Sequence, residues 1–418
     1  MSIKKPLRKI HIDQLAVGMC VVGMDISWID SPFLTHTIKI KKPSDIDKLR
    51  SAGARQITIN PNKGDDLAEP EQSTATSVVE PDDQSTQVEP TAQPEPDTSS
   101  RSELNEELSV AKSLRSNLTQ TFDRMMDELA ADRAINGDEL APVIDQTLES
   151  LERNSDALMS LAHMSERAKK LADHAFSTYC IALNMARFMN KSADELQALG
   201  IAALLHDTGW MSIPLQLMGK RQRYTDMETK LINKHPELGI KKLKSSELPE
   251  LVYRLIVEHH ECDNGSGYPK GLTADDVHPL TKILTIADTY DELTHQLRDV
   301  AGMLPGKAMR SLFLDAKQGV YDQECVNALI GMLGIYPVTT AVRLSNNEKG
   351  IVIEVPPDQH LKPIVEVKYD ANGKLLKEPK VVNLAASDDG LDISESIDPK
   401  NTTEDPYRAL VFEVDSLT

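Results

Sequence analysis

The sequence predicts a mainly α-helical protein with a small α/β module at one end and a small β module at the other. Three observations predict it. Apolar residues recur with helical spacing from near Glu103 to about Leu333. Beyond Tyr336-Pro337 the period changes to two. A proline- and acid-rich stretch sets residues 1–64 apart from everything that follows.

Residues 1–64 read as a regulatory or docking module. "GMCVVGMDISW" alternates loosely around Gly18 and Gly23, and "THTIKI" alternates again. A short helix over "SDIDKLRSAG" and a strand in "QITI" follow, with a weak capping box from Ser44 to Asp47 and a stop at Gly53. An aspartate pocket followed by α/β repeats would mark a response-regulator receiver, and residues 1–150 show none.

Residues 65–105 contain no aromatic residue and repeat Glu-Pro. So few apolar groups cannot offset the entropy of ordering the segment, which predicts a disordered tether. Residues 106–165 read as a helical connector. Its helices are either ordinary surface helices or a pair that holds two copies together as a homodimer.

The helical core is expected over residues 166–335. Two strand–turn–strand patterns follow in residues 336–386. "TAVRLSNNEKGIVIEV" turns at Asn346, Asn347 and Gly350, and "IVEVKYDANGKLL" turns at Asn372-Gly373. Residues 387–418 read as a loose acidic tail, apart from the apolar "ALVFEV".

The formal net charge of -19 makes long nucleic acid and anionic lipid surfaces poor partners. It would also repel a small phosphate ester unless metal ions reverse the field at the site. Cys20, Cys180, Cys262 and Cys325 form no CxxC pair, which excludes a zinc ribbon and fits a reducing cytoplasm. No apolar run follows Lys4, Lys5, Arg8 and Lys9, and none elsewhere is long enough to span a bilayer.

The chemistry sits in His206-Asp207, His235, His259-His260 and Asp288. His206-Asp207 ends the apolar run "LGIAALL" before Gly209, and His259-His260 ends "LVYRLIVE" before a glycine-rich turn. Asp288 lies inside "KILTIADTYDEL", where an apolar helix has no reason to bury a carboxylate unless something cationic pairs it. Imidazoles and carboxylates without thiolates suit two divalent ions, with iron, manganese or zinc favoured over calcium. Two ions sharing one carboxylate would activate water near neutral pH and hold the charge that builds on phosphorus. Asp207, adjoining His206, is the best bridge. His206 and Asp207 are therefore the expected catalytic pair.

These segments resemble the HD-GYP family, a branch of the HD phosphohydrolase superfamily. "LLHDTGWMSIP", "HPELG", "EHHECDNGSGYPKGL" and "ILTIADTYDEL" occur in family order, with Gly267-Tyr268-Pro269 intact. The resemblance implies an all-helical HD-type core and hydrolysis of cyclic di-GMP to the linear dinucleotide or GMP. It also implies a metal-ligand set of His174, His206, Asp207, His235, His259, His260 and Asp288. The small N-terminal domain and the β tail resemble modules that accompany this family. A glutamate one turn before His174, which holds a third ion in some relatives, is Lys170 here, so two ions, iron or manganese, are expected.

Around the metals, the resemblance places Gly265, Gly267, Tyr268 and Pro269 on a loop that borders the substrate or recruits a diguanylate cyclase. Asp291, one turn from Asp288, either orients a ligand from behind or is a surface acid. Four departures bear on substrate, one of them Asn264, with Asp263 a place earlier, where the family carries an aspartate before "GSGYP". Trp210 stands where the family carries a lysine, and it could stack on a base. "HQLRDV" replaces a basic segment, leaving Arg298 near it and adding Asp299. Lys282 replaces an arginine. Lys234 and Lys241 are further candidates for pocket charge. Three readings follow: a cyclic di-GMP phosphodiesterase, a binding protein with a vestigial site, and a hydrolase of another phosphate ester.

Overall fold

The computed structural model describes residues 7–25, 38–66, 98–163, 171–218, 220, 222–295, 302–356, 359–387 and 390–397, with side chains of the first long helix from residue 106 onward. Most of the 65–105 tether, Lys170, the "QLRDV" segment with Arg298 and Asp299, and "ALVFEV" lie outside these residues. The chain forms two compact units, residues 1–99 and 100–418.

In the first unit, β1 (Arg8–His11), β2 (Cys20–Met24), β3 (Ile38–Lys39) and β4 (Gln56–Ile59) form a sheet in the order β1-β4-β2-β3. Helix α1 (Pro43–Ser51) crosses between β3 and β4 in sequence. Ile10, Val21, Ile38, Leu49, Ile57 and Ile59 make its core. The helix is capped differently from the Ser44–Asp47 expectation. Pro43 takes the first position, and Asp45 Oδ2 accepts the backbone N–H groups of Lys41 and Lys42 at 3.1 and 3.2 Å. Gly53, at φ +89°, ends it as expected.

The second unit is helical up to Leu333. Its helices are α2 (Thr98–Ala130), α3 (Ala141–His163), α4 (Leu171–Phe188), α5 (Ala193–Leu205), α6 (Leu215–Met218), α7 (Asp226–Ile232), α8 (His235–Leu243), α9 (Glu250–Glu258), α10 (Pro279–Thr294), α11 (Pro305–Lys317) and α12 (Gln323–Leu333). Leu108, Ala111, Leu114, Leu118, Phe122, Met125 and Leu129 form one buried stripe along α2, so this face is spent within the chain. Glu107 on the same helix is buried, and Ser150 (2.6 Å) and Arg153 (2.8 Å) satisfy it. Helix α3 breaks at Asn154, whose side chain caps the next turn through the N–H of Asp156.

Helix α4 is apolar on nearly every side, as a central helix must be, and α3, α5 and α10 pack around it. This arrangement brings α4, the end of α5, the start of α8, the end of α9 and the middle of α10 to one place.

The β module is a five-stranded antiparallel sheet ordered β8-β7-β6-β5-β9. Its strands are β5 (Ala341–Leu344), β6 (Lys349–Glu354), β7 (Ile364–Tyr369), β8 (Leu375–Asn383) and β9 (Ile393–Ser396). Both expected hairpins are present, with Asn347 at φ 70° and Gly373 at φ 81° in their turns. β9 corrects the expectation of a loose tail from residue 387. It pairs with β5 through Val342–Ser396, and Ile393 and Ile397 are buried. Burial of those isoleucines outweighs the acidic composition around them.

Candidate metal centre

The local structure at three histidines repeats. His206 follows the last residue of α5, His235 opens α8 and His259 follows α9. Each donates Nδ1–H to the carbonyl three residues earlier: His206 to Ala203 (2.8 Å), His235 to Ile232 (2.9 Å) and His259 to Ile256 (2.6 Å). That bond fixes the tautomer and leaves the Nε2 lone pair for the site. His174 reaches the same state by another route, since its Nδ1 bonds Asp291 Oδ2 at 2.6 Å.

The side chains gather into two groups able to hold an ion, His174–His206–Asp288 and Asp207–His235–His259–His260. Together they hold all seven residues of the expected ligand set. His174 Nε2 lies 3.2 Å from His206 Nε2 and 3.0 Å from Asp288 Oδ1. In the second group, His235 Nε2 lies 3.2 Å from His259 Nε2 and 3.1 Å from Asp207 Oδ1. Ligand atoms about 2.1 Å from one ion, at right or tetrahedral angles, stand about 3.0–3.4 Å apart. The observed spacings fit. Asp207 reaches both groups: Oδ1 faces His235, while Oδ2 lies 3.4 Å from His174 Nε2 and 3.6 Å from His206 Nε2.

The electrostatics favour cations here. Burial alone would raise the Asp207 carboxyl, but the imidazoles of His206, His235 and His174 outweigh it and hold the group far below the usual carboxylate range. Asp288 is likewise held low against its burial by His174 and His206, and its Oδ2 is buried without a hydrogen bond. Burial and neighbouring imidazoles push His259 well below its ordinary value. Burial lowers His260 to about 4. Both rings are neutral donors at pH 7. His174 moves the other way: burial lowers it, but Asp288 and Asp291 outweigh that and raise it. The same two carboxylates would attract a metal ion in place of that proton.

Close backbone approaches hold the groups together. A Cβ on Gly209 would sit 1.8 Å from the His235 carbonyl oxygen, so only glycine lets the His206-Asp207 turn rest on α8. Gly267 plays the same part in the loop after α9, where a Cβ would meet the backbone of His260, Glu261 and Cys262 within 2.4–2.5 Å. Gly265 adopts φ +77°, and the Tyr268-Pro269 bond is cis. The Tyr268 ring leans over His260 at 4.7 Å.

Other expected residues are placed as follows. Asp291 is fully buried behind His174, which excludes the surface reading. Lys282 pairs with Asp263 (3.1 Å) and Asp322 (3.4 Å), so its charge is compensated there. Lys234, just before α8, and Lys241, on it, are exposed. Trp210 donates its indole N–H to Asp207 Oδ1 at 3.1 Å and stacks on His235.

Sequence reasoning missed the buried glutamates that flank the histidine pair. Glu261 accepts the N–H groups of Lys270 (2.7 Å) and Leu272 (2.8 Å), stapling the Gly-Tyr-Pro loop. Glu258 accepts from His278 N–H and the Thr281 hydroxyl, both at 3.1 Å. Their acidic character beside an apolar helix was the available signal. His295 was missed too. It lies one turn beyond Asp291, with its Nδ1 2.9 Å from that carboxylate.

Comparison with known proteins finds an HD domain over the residues that build this site. Residues 154–325 match a family model described as an HD domain, residues 341–405 one described as a KOW domain associated with HD domain, and residues 7–140 one described as a domain of unknown function. The chain is 28% identical over 380 residues to a cyclic di-GMP phosphodiesterase of Pseudomonas aeruginosa, covering 90% of this chain and 89% of that one. It is 23% identical over 203 residues to a cyclic di-GMP phosphodiesterase of Borreliella burgdorferi, covering 49% of this chain and 53% of the relative. Among solved structures, an HDG"Y"P protein from Bdellovibrio bacteriovorus aligns with TM-score 0.42 and 16% identity, over 78% of this chain and 98% of that one. The ordered motifs, the two ligand groups on one helical core and the matched family models together place an HD domain of the phosphohydrolase superfamily in this chain, similar to its HD-GYP branch and preceded by an accessory N-terminal domain.

Proposed function

We propose that this metal-dependent HD-family hydrolase is a two-metal phosphodiesterase whose substrate is cyclic di-GMP. The observation that carries the reading is Asp207, whose two oxygens face different ligand groups, Oδ1 toward His235 and Oδ2 toward His174. When bound there, two divalent ions would supply an activated nucleophile and offset charge on the phosphodiester.

The chain's own residues prepare that chemistry. His206, His235 and His259 turn their Nε2 atoms inward because their Nδ1–H groups are committed to carbonyls. Asp291 holds the His174 ring. The Tyr268 ring beside His260 offers an aromatic face for a base. Cyclic di-GMP as substrate is supported by the relatives that bear that activity in their names. No helix among the described residues is long and apolar enough to cross a membrane.

One observation favours a different phosphate ester. Lys282 is neutralised by Asp263 and Asp322, and Trp210 carries no charge, so two positions expected to favour an anion do not supply a free cation.

The test is hydrolysis of cyclic di-GMP by protein purified without oxygen and loaded with iron or manganese, beside a His206→Ala, Asp207→Ala double variant. Turnover that vanishes in the variant supports the reading. Metal bound without turnover of cyclic di-GMP overturns it. Turnover of other cyclic dinucleotides or phosphate esters would then identify the substrate class.

A further inference from the structure

We infer that Trp210 is a positioning residue for the bridging carboxylate, with its larger effect on ion affinity at Asp207–His235–His259–His260, where both of its contacts fall, and a smaller one at His174–His206–Asp288. The inference rests on the two-ion reading above and assigns Trp210 a role other than contact with substrate.

Two contacts carry it. The indole Nε1–H donates to Asp207 Oδ1 at 3.1 Å, the oxygen that also lies 3.1 Å from His235 Nε2 and 3.8 Å from His259 Nε2. The ring stacks on His235 with centroids 5.3 Å apart and planes 28° from parallel. Both contacts fall on members of the same ligand group.

The main chain leaves the indole little choice. Asp207 starts the 3-10 turn Thr208–Ser212, and the Trp210 backbone N–H donates to the Asp207 carbonyl at 3.0 Å. Gly209 is pressed against the His235 carbonyl, so the turn cannot slide along α8. The side chain therefore folds back over the residue three places before it.

A carboxylate that must serve two ions needs its plane fixed, because rotation about its last bond takes an oxygen away from one group or the other. An indole has one N–H and no acceptor, so it fixes Oδ1 with one bond and leaves that oxygen a further lone pair for an ion. It adds no charge. An ammonium at this place would hold the same oxygen but repel the ion beside it. A partner that orients a metal ligand in this way typically changes affinity by about 10–100-fold.

The chain has two tryptophans, Trp28 and Trp210, so Trp28→Phe leaves Trp210 as the sole indole reporter. Metal-free Trp28→Phe protein is titrated with Mn2+ while emission and heat are recorded together. Quenching that follows one of two binding steps is expected. In the Trp28→Phe, Trp210→Phe variant, which keeps a stacking ring but lacks the N–H, calorimetry should show that step weakened about 10–100-fold and the other weakened less.

Trp210→Lys in the same background should weaken the same step. Far-UV circular dichroism of the metal-free proteins confirms that the variants fold. Two Mn2+ steps equal in the presence and absence of the indole N–H would overturn the inference while leaving the two-ion reading standing. Emission that ignores both binding steps would do the same, and this arm needs no change at Trp210. Failure of the Trp28→Phe protein to bind Mn2+ at all would overturn the two-ion reading and this inference with it.

Discussion

The Nε2 atoms of His235 and His259 face each other across 3.2 Å, although both rings have committed Nδ1–H to main-chain carbonyls. Burial and adjacent imidazoles keep the His259 ring from gaining a second proton at neutral pH. The His259 Nε2 lone pair in that position needs a proton or a cation opposite it.

Removing metal should therefore destabilise the helical unit. An ion held at about 100 times its dissociation constant contributes about 3 kcal/mol per site. Thermal unfolding before and after exhaustive chelation should show a lower midpoint for the stripped protein, restored by Mn2+ or Fe2+. An identical midpoint in both samples would mean that the facing nitrogens are not a metal site.

Asp291→Asn keeps the size of the side chain but removes the charge behind His174, whose Nδ1 lies 2.6 Å from that carboxylate. Loss of such an orienting carboxylate should weaken ion binding at the His174–His206–Asp288 group by about 10–100-fold. Elemental analysis after dialysis against graded chelator would reveal it. Unchanged stoichiometry across that series would exclude the role.

Glu261→Ala leaves the N–H groups of Lys270 and Leu272 without their carboxylate. The stability cost should be about 2 kcal/mol, and Glu261→Gln, which retains one acceptor oxygen, should fall between. Because the loop carries Tyr268, KM for cyclic di-GMP should rise more than kcat falls. Equal loss in both, with the loop still resistant to protease, would count against the staple.

His163 Nε2 lies 3.3 Å from the Tyr290 hydroxyl, and burial followed by the nearby His295 lowers the imidazole to about 4 from an ordinary value near 6.5. Between those two values the unfolded chain binds the proton and the folded one does not. Its contribution is complete above about pH 6.5 and is lost progressively as the pH falls toward 4. Wild type should lose about 2 kcal/mol more than His163→Gln between pH 7 and pH 5, measured by urea unfolding. Parallel losses in the two proteins would show that His163 is not the group responsible.

Much of the site was legible because its chemistry leaves marks in one dimension. A histidine-aspartate pair ending "LGIAALL" and a histidine pair ending "LVYRLIVE" can be read from the switch of apolar run to polar turn, and both stand at helix ends. Asp288 announced itself as a charge inside an apolar helix. His174 was legible only through family resemblance, since α4 is buried on so many sides that no periodicity singles out one residue.

Elsewhere the local pattern misled or was silent. β9 lies in an acidic stretch, and its pairing with β5 depends on a strand some fifty residues away. Asp291 could be read as either surface or interior, because residues one turn apart share a face without saying what that face meets. Glu261 gave no sign of its partners, because they lie nine and eleven residues later on a loop that returns.

The sequence by itself determined the helical core, the two flanking modules and six of the candidate ligands, with His174 added by family resemblance, since periodicity, turn residues and ordered motifs are local properties of the chain. Only the tertiary structure decided how the candidate ligands fall into two groups, that Asp207 faces both, that Lys282 is spent on Asp263 and Asp322, and that Trp210 turns toward Asp207 and His235. The reason is geometric. Coordination and hydrogen bonding act over about 2–3 Å, and the helices that meet at that distance come from positions as far as 117 residues apart, brought together by packing on α4 and by glycines that let backbones touch.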